Sequence, residues 1–285
     1  MTSQNSSKRY ISRILRVVQY LWQHPDDDVP LAVLAELAHF SPCHFHRLYH
    51  AVTGETVVQT RQRLRLARAA LQLQQPQPQV LLQVARRAGY GSSAAFVRAF
   101  RQAYGLPPAA YRRQRMAFLQ SAIHEENRMH YQPQLRQLAT PLAVLCCPHR
   151  GSYMQIGQAF DSLNVRTLNL LAADARWFGI YYDDPQSVPE AELRAAACVS
   201  YPAEAPLPDG LQRDTIAAGD YLVLTHRGPY SELAAAYQWL YGVWLPQSEW
   251  QLAPAPCIEA YLNSPQSTAP KDLLTEIWTP VLPRG

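Results

Sequence analysis

The sequence predicts a chain of two parts: an all-α N-terminal half built from two helix-turn-helix units, and an α+β C-terminal half built from a duplicated β-α-β-β unit around a central cleft. Three observations predict it. Residues 1–128 hold 17 Lys+Arg against 7 Asp+Glu, whereas 129–285 hold 9 against 15, so a basic half is joined to an acidic one. A pattern of short helix, turn and polar-faced helix occurs twice in the basic half. In the acidic half the pentapeptide HRGSY at 149–153 returns as HRGPY at 226–230. A basic half is the footprint of a nucleic-acid module, and a repeat that keeps its order and spacing is the footprint of a duplicated fold.

Length and composition are compatible with this division. At 285 residues, 48% of them apolar, the chain has room for two globular domains. No apolar run approaches the roughly 20 residues that a membrane-spanning helix needs, and MTSQNSSKRY at the start lacks the hydrophobic stretch of a secretory signal. The five cysteines are scattered and form no CxxC pair, which suggests a reducing cytoplasm. Neither a metal site nor a cofactor is expected.

The basic half reads as a series of helices. Apolar residues from Ile11 to Trp22 form a helical stripe, ended by DDDVP. A short helix follows at about 31–38, and then SPCHFHRLYHAVTG. There Ser41 suits an N-cap, Pro42 the first helical position and Gly54 the stop. Phe45, Leu48 and Val52 share one face of that helix, leaving Cys43, His46, Arg47 and His50 on the other. His46 and His50 lie one turn apart, but with no third ligand nearby they read as a solvated face rather than a metal pair. A long helix at roughly 56–74 leads to QPQPQ, after which the pattern repeats. VLLQVARRAG is followed by YGSSAAFVRAFRQAYG, capped by Ser92 or Ser93 and stopped at Gly105. Arg47 and Arg98 occupy equivalent places, each two residues after the inward aromatic, Phe45 or Phe96.

LAELAHFSPCHFHRLYHAVTG followed by VARRAGYGSSAAFVRAFRQAYGLPPAAYRR resembles the AraC/XylS DNA-binding domain over about 105 residues. The resemblance implies seven helices, with two recognition helices entering adjacent major-groove segments of double-stranded DNA. It places Cys43, His46 and Arg47 at the bases in the first unit, and Ser93, Ala94, Val97 and Arg98 in the second. Arg reads guanine through a bidentate contact, whereas Ala94 and Val97 offer neither donor nor acceptor, so sequence reading by the second helix should be weak. RNA polymerase is a further expected partner.

In the acidic half, strands are expected at 141–147, 175–184 and 195–201, with counterparts at 219–228, 257–262 and 273–281. A helix opens just after each pentapeptide, and Phe160 and Leu163 in the first copy answer Tyr237 and Leu240 in the second. DDPQSVP at 183–189 answers NSPQSTAP at 263–270. Aligning PQS on PQS sets Gly179 opposite Glu259 and Tyr181 opposite Tyr261, so one copy carries a carboxylate where the other carries none. Alternation puts Glu259 and Tyr261 on one face of their strand, and Glu276 and Trp278 on one face of theirs. A carboxylate among aromatic rings suits a lipophilic cation, by ion pairing and by cation–π contact worth about 0.5–2 kcal/mol per ring.

RGPY…WLP, APCIEAYLNSP, LLTEIWTPV and FGIYYDDP resemble the GyrI-like effector-binding domain, giving a Rob-like architecture overall. The resemblance implies that Glu259 is the central ligand contact and that Glu276 and Trp278 take part. The expected cleft comprises Glu259 with Tyr153, Trp177, Tyr181, Tyr230, Trp244, Tyr261, Glu276 and Trp278. The expected domains are 1–122 and 129–285, divided by the polar stretch HEENRMHYQPQ at 124–134 where the charge balance changes sign.

The expected function is a DNA-binding transcription regulator, cytoplasmic and nucleoid-associated, without catalytic residues, whose C-terminal domain binds a small amphipathic or cationic molecule. Two alternatives stay open: some GyrI-like domains hydrolyse cyclopropane-bearing toxins, and others bind protein as gyrase inhibitors do. The first reading carries a test. Arg47→Ala should weaken specific DNA binding by about 1–3 kcal/mol, the worth of one bidentate base contact, and Ala94→Ser should change little. A salt-controlled gel shift that shows full affinity in Arg47→Ala would mean that the first recognition helix is misplaced.

Overall fold

The computed structural model describes residues 2–75, 77, 79–121, 131–185 and 187–284. Of the expected domain boundary, residues 122 and 124–130 lie outside the described residues. Among those described, no helix is long and apolar enough to cross a membrane.

Among the described residues, seven helices form the first half: α1 (Thr2–Gln23), α2 (Leu31–Leu37), α3 (Pro42–Thr53), α4 (Val57–Gln74), α5 (Leu81–Arg87), α6 (Ser93–Tyr104) and α7 (Pro108–Ser121). Helices α3 and α6 are the second helices of the two expected units. Each stops at a glycine in the left-handed region, Gly54 with φ 77° and Gly105 with φ 81°, where a side chain would be strained. Ser92, not Ser93, caps α6, its Oγ accepting from the Ala95 N–H at 3.2 Å. Ser41 holds the N-cap position of α3, but its hydroxyl lies 3.1 Å from His44 Nδ1 instead of on a backbone N–H.

The long helix α4 opens with a reciprocal Thr56–Gln59 capping box and then supplies both helical cores. Val57 and Leu64 pack with Ile14, Leu34, Phe45 and Tyr49, while Leu66, Ala69 and Leu73 pack with Val84, Phe96, Phe100 and Tyr111. Because successive turns of one rigid helix feed the two cores, the spacing of α3 and α6 is fixed by α4.

The second half contains β1 (Gln134–Leu138), β2 (Leu142–Arg150), α8 (Gly157–Arg166), β3 (Trp177–Tyr181), β4 (Arg194–Ser200), β5 (Gln212–Ile216), β6 (Gly219–Arg227), α9 (Leu233–Trp239), β7 (Trp250–Leu252), β8 (Cys257–Tyr261) and β9 (Leu274–Pro283). They make one antiparallel sheet in the order β1-β6-β9-β8-β3-β4-β2-β5, with β7 beside the end of β9. The six expected strands are all present. Strands β1 (QLRQL), β5 (QRDTI) and β7 are additional, being too polar or too short to show alternation. Each repeat is therefore β-β-α-β-β, and its first strand is exchanged: β1 pairs with β6 of the second repeat, and β5 with β2 of the first.

The repeats meet at β3 and β8, whose antiparallel register sets Gly179 against Glu259. On these two strands repeat mates lie 80 positions apart, as Tyr181 and Tyr261 do. Gly179 and Glu259 are thus each other's mates and each other's register partners, which places the pseudo-twofold axis through that pair. One face of the sheet curls around Phe178, Ile180, Cys198, Ile258 and Trp278. The other carries the helices: α8 on Leu145, Ala197 and Val199, and α9 on Leu222, Leu224 and Ile277. Between the two helices the floor of β3 and β8 is open.

Helix α8 also reaches out of its own half. Leu163 faces the sheet, whereas Val165, 1% exposed, is part of the same core as Val18, Val52 and Phe45. One helix of the C-terminal half therefore completes the core of the first helix-turn-helix unit. Val165→Ala should destabilise that unit by about 1–3 kcal/mol through lost burial and the cavity left behind. Hydrogen exchange of α1–α3 amides should quicken accordingly, and unchanged protection there would show that α8 contributes nothing to the reader.

Candidate functional site

Two sites emerge, one on the helical half and one on the sheet. On α3 the outward face presents Cys43, His46, Arg47 and His50, all exposed, while Phe45 and Tyr49 are buried behind them. On α6, Ala94 and Arg98 are exposed, Ser93 and Val97 are half-buried, and Phe96 and Phe100 face the core. Among the described residues neither Arg47 nor Arg98 is held in an ion pair. Both guanidiniums are presented to solvent at corresponding places on the two helices, as a groove reader requires.

The sheet site is built on Glu259. Its carboxylate is 5% exposed and accepts three phenolic hydroxyls: Tyr261 at 2.7 Å and Tyr181 at 3.1 Å on Oε2, and Tyr237 at 3.0 Å on Oε1. Tyr181 and Tyr261 also touch each other, oxygen to oxygen, at 2.7 Å. Burial pushes the Glu259 carboxyl above its ordinary value, and the three phenol donors offset only part of that. Burial, together with the neighbouring glutamate, pushes Tyr181, Tyr237 and Tyr261 up as well, so all three remain O–H donors. No Arg, Lys or His among the described residues shares the carboxylate.

Further rings surround this cluster. Tyr153 and Tyr230, the last residues of the two pentapeptides, stand edge-on to Tyr181 and Tyr261 with centroids 4.9 and 5.4 Å apart. Tyr153 is fixed by donating to the Asp183 carbonyl at 2.8 Å. Phe160 of α8 stands edge-on to Tyr261 at 5.0 Å and near Trp177 at 6.4 Å. Gly179 has no alternative on the floor: a Cβ there would lie 2.8 Å from Tyr181 Cε2 and 2.9 Å from the Tyr261 hydroxyl. The well opens into a cavity of about 2200 Å³ that also has walls from the helical half, larger than the roughly 300–1,000 Å³ of an ordinary ligand pocket.

Of the expected cleft residues, the structure brings together Glu259, Tyr153, Trp177, Tyr181, Tyr230 and Tyr261. It places three elsewhere. Glu276 and Trp278 do share a face of β9, but the register pairs them with Ala260 and Ile258, on the side of the sheet opposite Glu259. There Arg136 holds Glu276 bidentately at 2.7 and 2.9 Å, and Trp278 Nε1 donates to it at 2.9 Å. Burial would raise the Glu276 carboxyl, but Arg136 and Trp278 outweigh it and hold it below its ordinary value. Trp244 packs against the α9 core and does not line the cavity. Two contributors were not expected, Phe160 and Tyr237. The signal was present, since they occupy the same offset in the two repeats, one aromatic on each helix.

The family model for the GyrI-like small molecule binding domain matches residues 131–282, more than half of the chain, and the chain belongs to that family. A helix-turn-helix domain model matches residues 34–114. An AraC-type helix-turn-helix domain joined to a GyrI-like effector-binding domain makes this a ligand-responsive transcription regulator. Among curated relatives, the DNA gyrase inhibitor of Escherichia fergusonii is 31% identical over 132 residues, 45% of this chain and 84% of that one. The DNA gyrase inhibitor of Yersinia enterocolitica is 35% identical over 118 residues, 40% of this chain and 75% of its own. Among solved structures, EcmrR in a cryo-EM complex with DNA matches at 16% identity and a TM-score of 0.49, covering 89% of this chain and 99% of that one.

The raised Glu259 carboxyl has a consequence for stability. A carboxyl whose value is higher folded than unfolded stabilises the fold fully below the unfolded value, and that contribution is lost as pH rises through the folded one. The unfolding free energy of wild type minus that of Glu259→Gln should therefore fall as pH rises from about 4, the ordinary glutamate value, towards neutrality. Urea titrations across that range check it, and a difference that grows with pH would contradict the assignment.

Proposed function

We propose that the chain reads DNA through Arg47 and His46 of α3 and Arg98 of α6, and that its effector is an amphipathic cation held at Glu259. Cys43, Ser93, Ala94 and Val97 complete the two reading faces. The reading domain is taken as 1–122 and the effector domain as 129–285. One observation carries the effector assignment: a buried carboxylate donated to by three phenols and matched, among the described residues, by no basic side chain. A lone carboxylate in an aromatic surround is costly, and an entering cation relieves that cost while gaining cation–π contact. The aromatic walls keep water out, so the attraction is less screened than at the surface.

We read the well as a binding site without catalysis. Both oxygens of Glu259 are engaged by phenol donors, which suits holding a charge better than taking a proton from water. The gyrase-inhibitor relatives keep a protein-directed role in view for the C-terminal half, but it is the aromatic well around the buried Glu259 that supports our reading. RNA polymerase is the expected partner of the DNA-bound form, in the cytoplasm.

Glu259→Gln preserves size while removing the charge. It should weaken binding of a rhodamine-type cationic dye by about 1–3 kcal/mol and hardly affect a neutral analogue. Tryptophan fluorescence titrations of both proteins with both compounds decide it. Equal losses for the two compounds would mean that Glu259 shapes the well without supplying its charge.

A further inference from the structure

The cavity above Glu259 is not enclosed by the GyrI-like half alone. Its outer side is lined by Trp22 of α1 and by Gln59, Gln62, Ala67 and Arg68 of α4, the helix that spaces the two readers. The four α4 residues are exposed and border the shared space.

A specific clamp holds this wall against the cleft. Asp161 of α8 accepts the Trp22 indole N–H at 2.8 Å and Arg63 Nη2 of α4 at 3.4 Å, with its side chain only 13% exposed. Trp22 lies so close to α8 that a Cβ on Gly157 would fall 2.6 Å from its ring. Asp161 directly follows Phe160, the ring that stands against Tyr261, so one turn of α8 touches both the Glu259 cluster and the reader.

On the reader side the contacts continue to α3. Arg63 grips Glu55 bidentately, Nε and Nη2 each donating at 2.9 Å. Glu55 follows the Gly54 stop of α3 and accepts from the Thr60 hydroxyl at 3.0 Å; that hydroxyl in turn accepts from Tyr49 of α3 at 3.0 Å. Burial alone would make Arg63 easier to deprotonate, but Asp161 and Glu55 outweigh it and raise it above its ordinary value, so the guanidinium keeps its charge throughout the physiological range. These polar groups are mutually satisfied and little exposed, so α4 and α8 move together or the network breaks.

We propose that the effector site is a two-domain site: α4 of the DNA reader forms its outer wall, and the Asp161 clamp joins that wall to the well so that effector binding and DNA reading are linked. This rests on the effector reading above. An occupant large enough to rise from Glu259 to α4 contacts both halves. Any shift it forces between α8 and α4 reaches α3 through Arg63 and Glu55. Linkage is reciprocal: an occupant that changes DNA affinity has its own affinity changed by DNA in the same ratio.

The test uses the full chain, a rhodamine-type dye and a DNA duplex enriched by the protein from a random-sequence pool. Ala67→Trp fills the wall from the reader side, and dye anisotropy should show binding weakened by at least about tenfold, equivalent to about 1.4 kcal/mol. The dye should change the DNA affinity of wild type by about fivefold or more, and in Asp161→Asn, compared at dye concentrations that saturate each protein, that ratio should fall towards one. Trp22→Phe, which removes the indole N–H together with the part of the ring that packs against Gly157, should reduce the ratio in the same direction should Asp161→Asn fold poorly. Loss of dye binding in Glu259→Gln with wild-type binding in Ala67→Trp would overturn the two-domain site and leave the effector reading standing. An unchanged ratio in both clamp variants would overturn the linkage. Failure of wild type to bind the dye at all would bring down the effector reading, and this inference with it.

Discussion

The backbone pairing of Gly179 with Glu259 is the constraint on which the effector half depends. A duplicated unit closing on itself in an antiparallel sheet must bring one residue of each copy together at the axis, and here those residues are a glycine and a glutamate. Symmetry could not be kept at this point. Two carboxylates facing each other in a buried, aromatic environment would repel and hold one of them protonated. With glycine on one side, the single carboxylate has room for the Tyr181 and Tyr261 hydroxyls, which close over the place where a second side chain would stand. The same asymmetry recurs on the helices, where Phe160 answers Tyr237 and α9, unlike α8, supplies a hydroxyl to Glu259.

The exchange of β1 and β5 between the halves follows from the same closure. Each repeat's first strand finds its partner on the other repeat, so each edge strand belongs to one copy and pairs with the other, while β3 and β8 carry the sheet across the axis. Neither half of the duplication has its complete set of strands without the other. The strands that carry Glu259 and Gly179 lie at the centre of the sheet, between the two helices.

Much of this was legible in the sequence, and the rest was not for identifiable reasons. Capping residues, inward aromatics and the doubled pattern located α3 and α6, because those signals are local. The repeat located Glu259, because a duplicated sequence shows its own exceptions. Strand register was not legible: alternation says that Glu276 and Trp278 share a face but not whether that face is the one Glu259 uses, and the pairing of Ala260 with Glu276 decides against it. The strands β1 and β5 escaped because their order comes from long-range pairing and not from apolar alternation. The division of labour of α8 was hidden too, since Val165 reads as an ordinary apolar residue until it is seen in the core of the reader.

The central claim is that Glu259 is a buried carboxylate made tolerable by phenol donors that Gly179 admits. The carbon-13 titration of the Glu259 carboxyl in wild type and in Gly179→Ala tests it most directly. The account predicts a value above the ordinary glutamate value of about 4.3 in wild type. It predicts a further rise in Gly179→Ala, where the added methyl displaces the Tyr181 and Tyr261 hydroxyls that now lower it. An ordinary or lowered value in wild type, unmoved by the alanine, would contradict it.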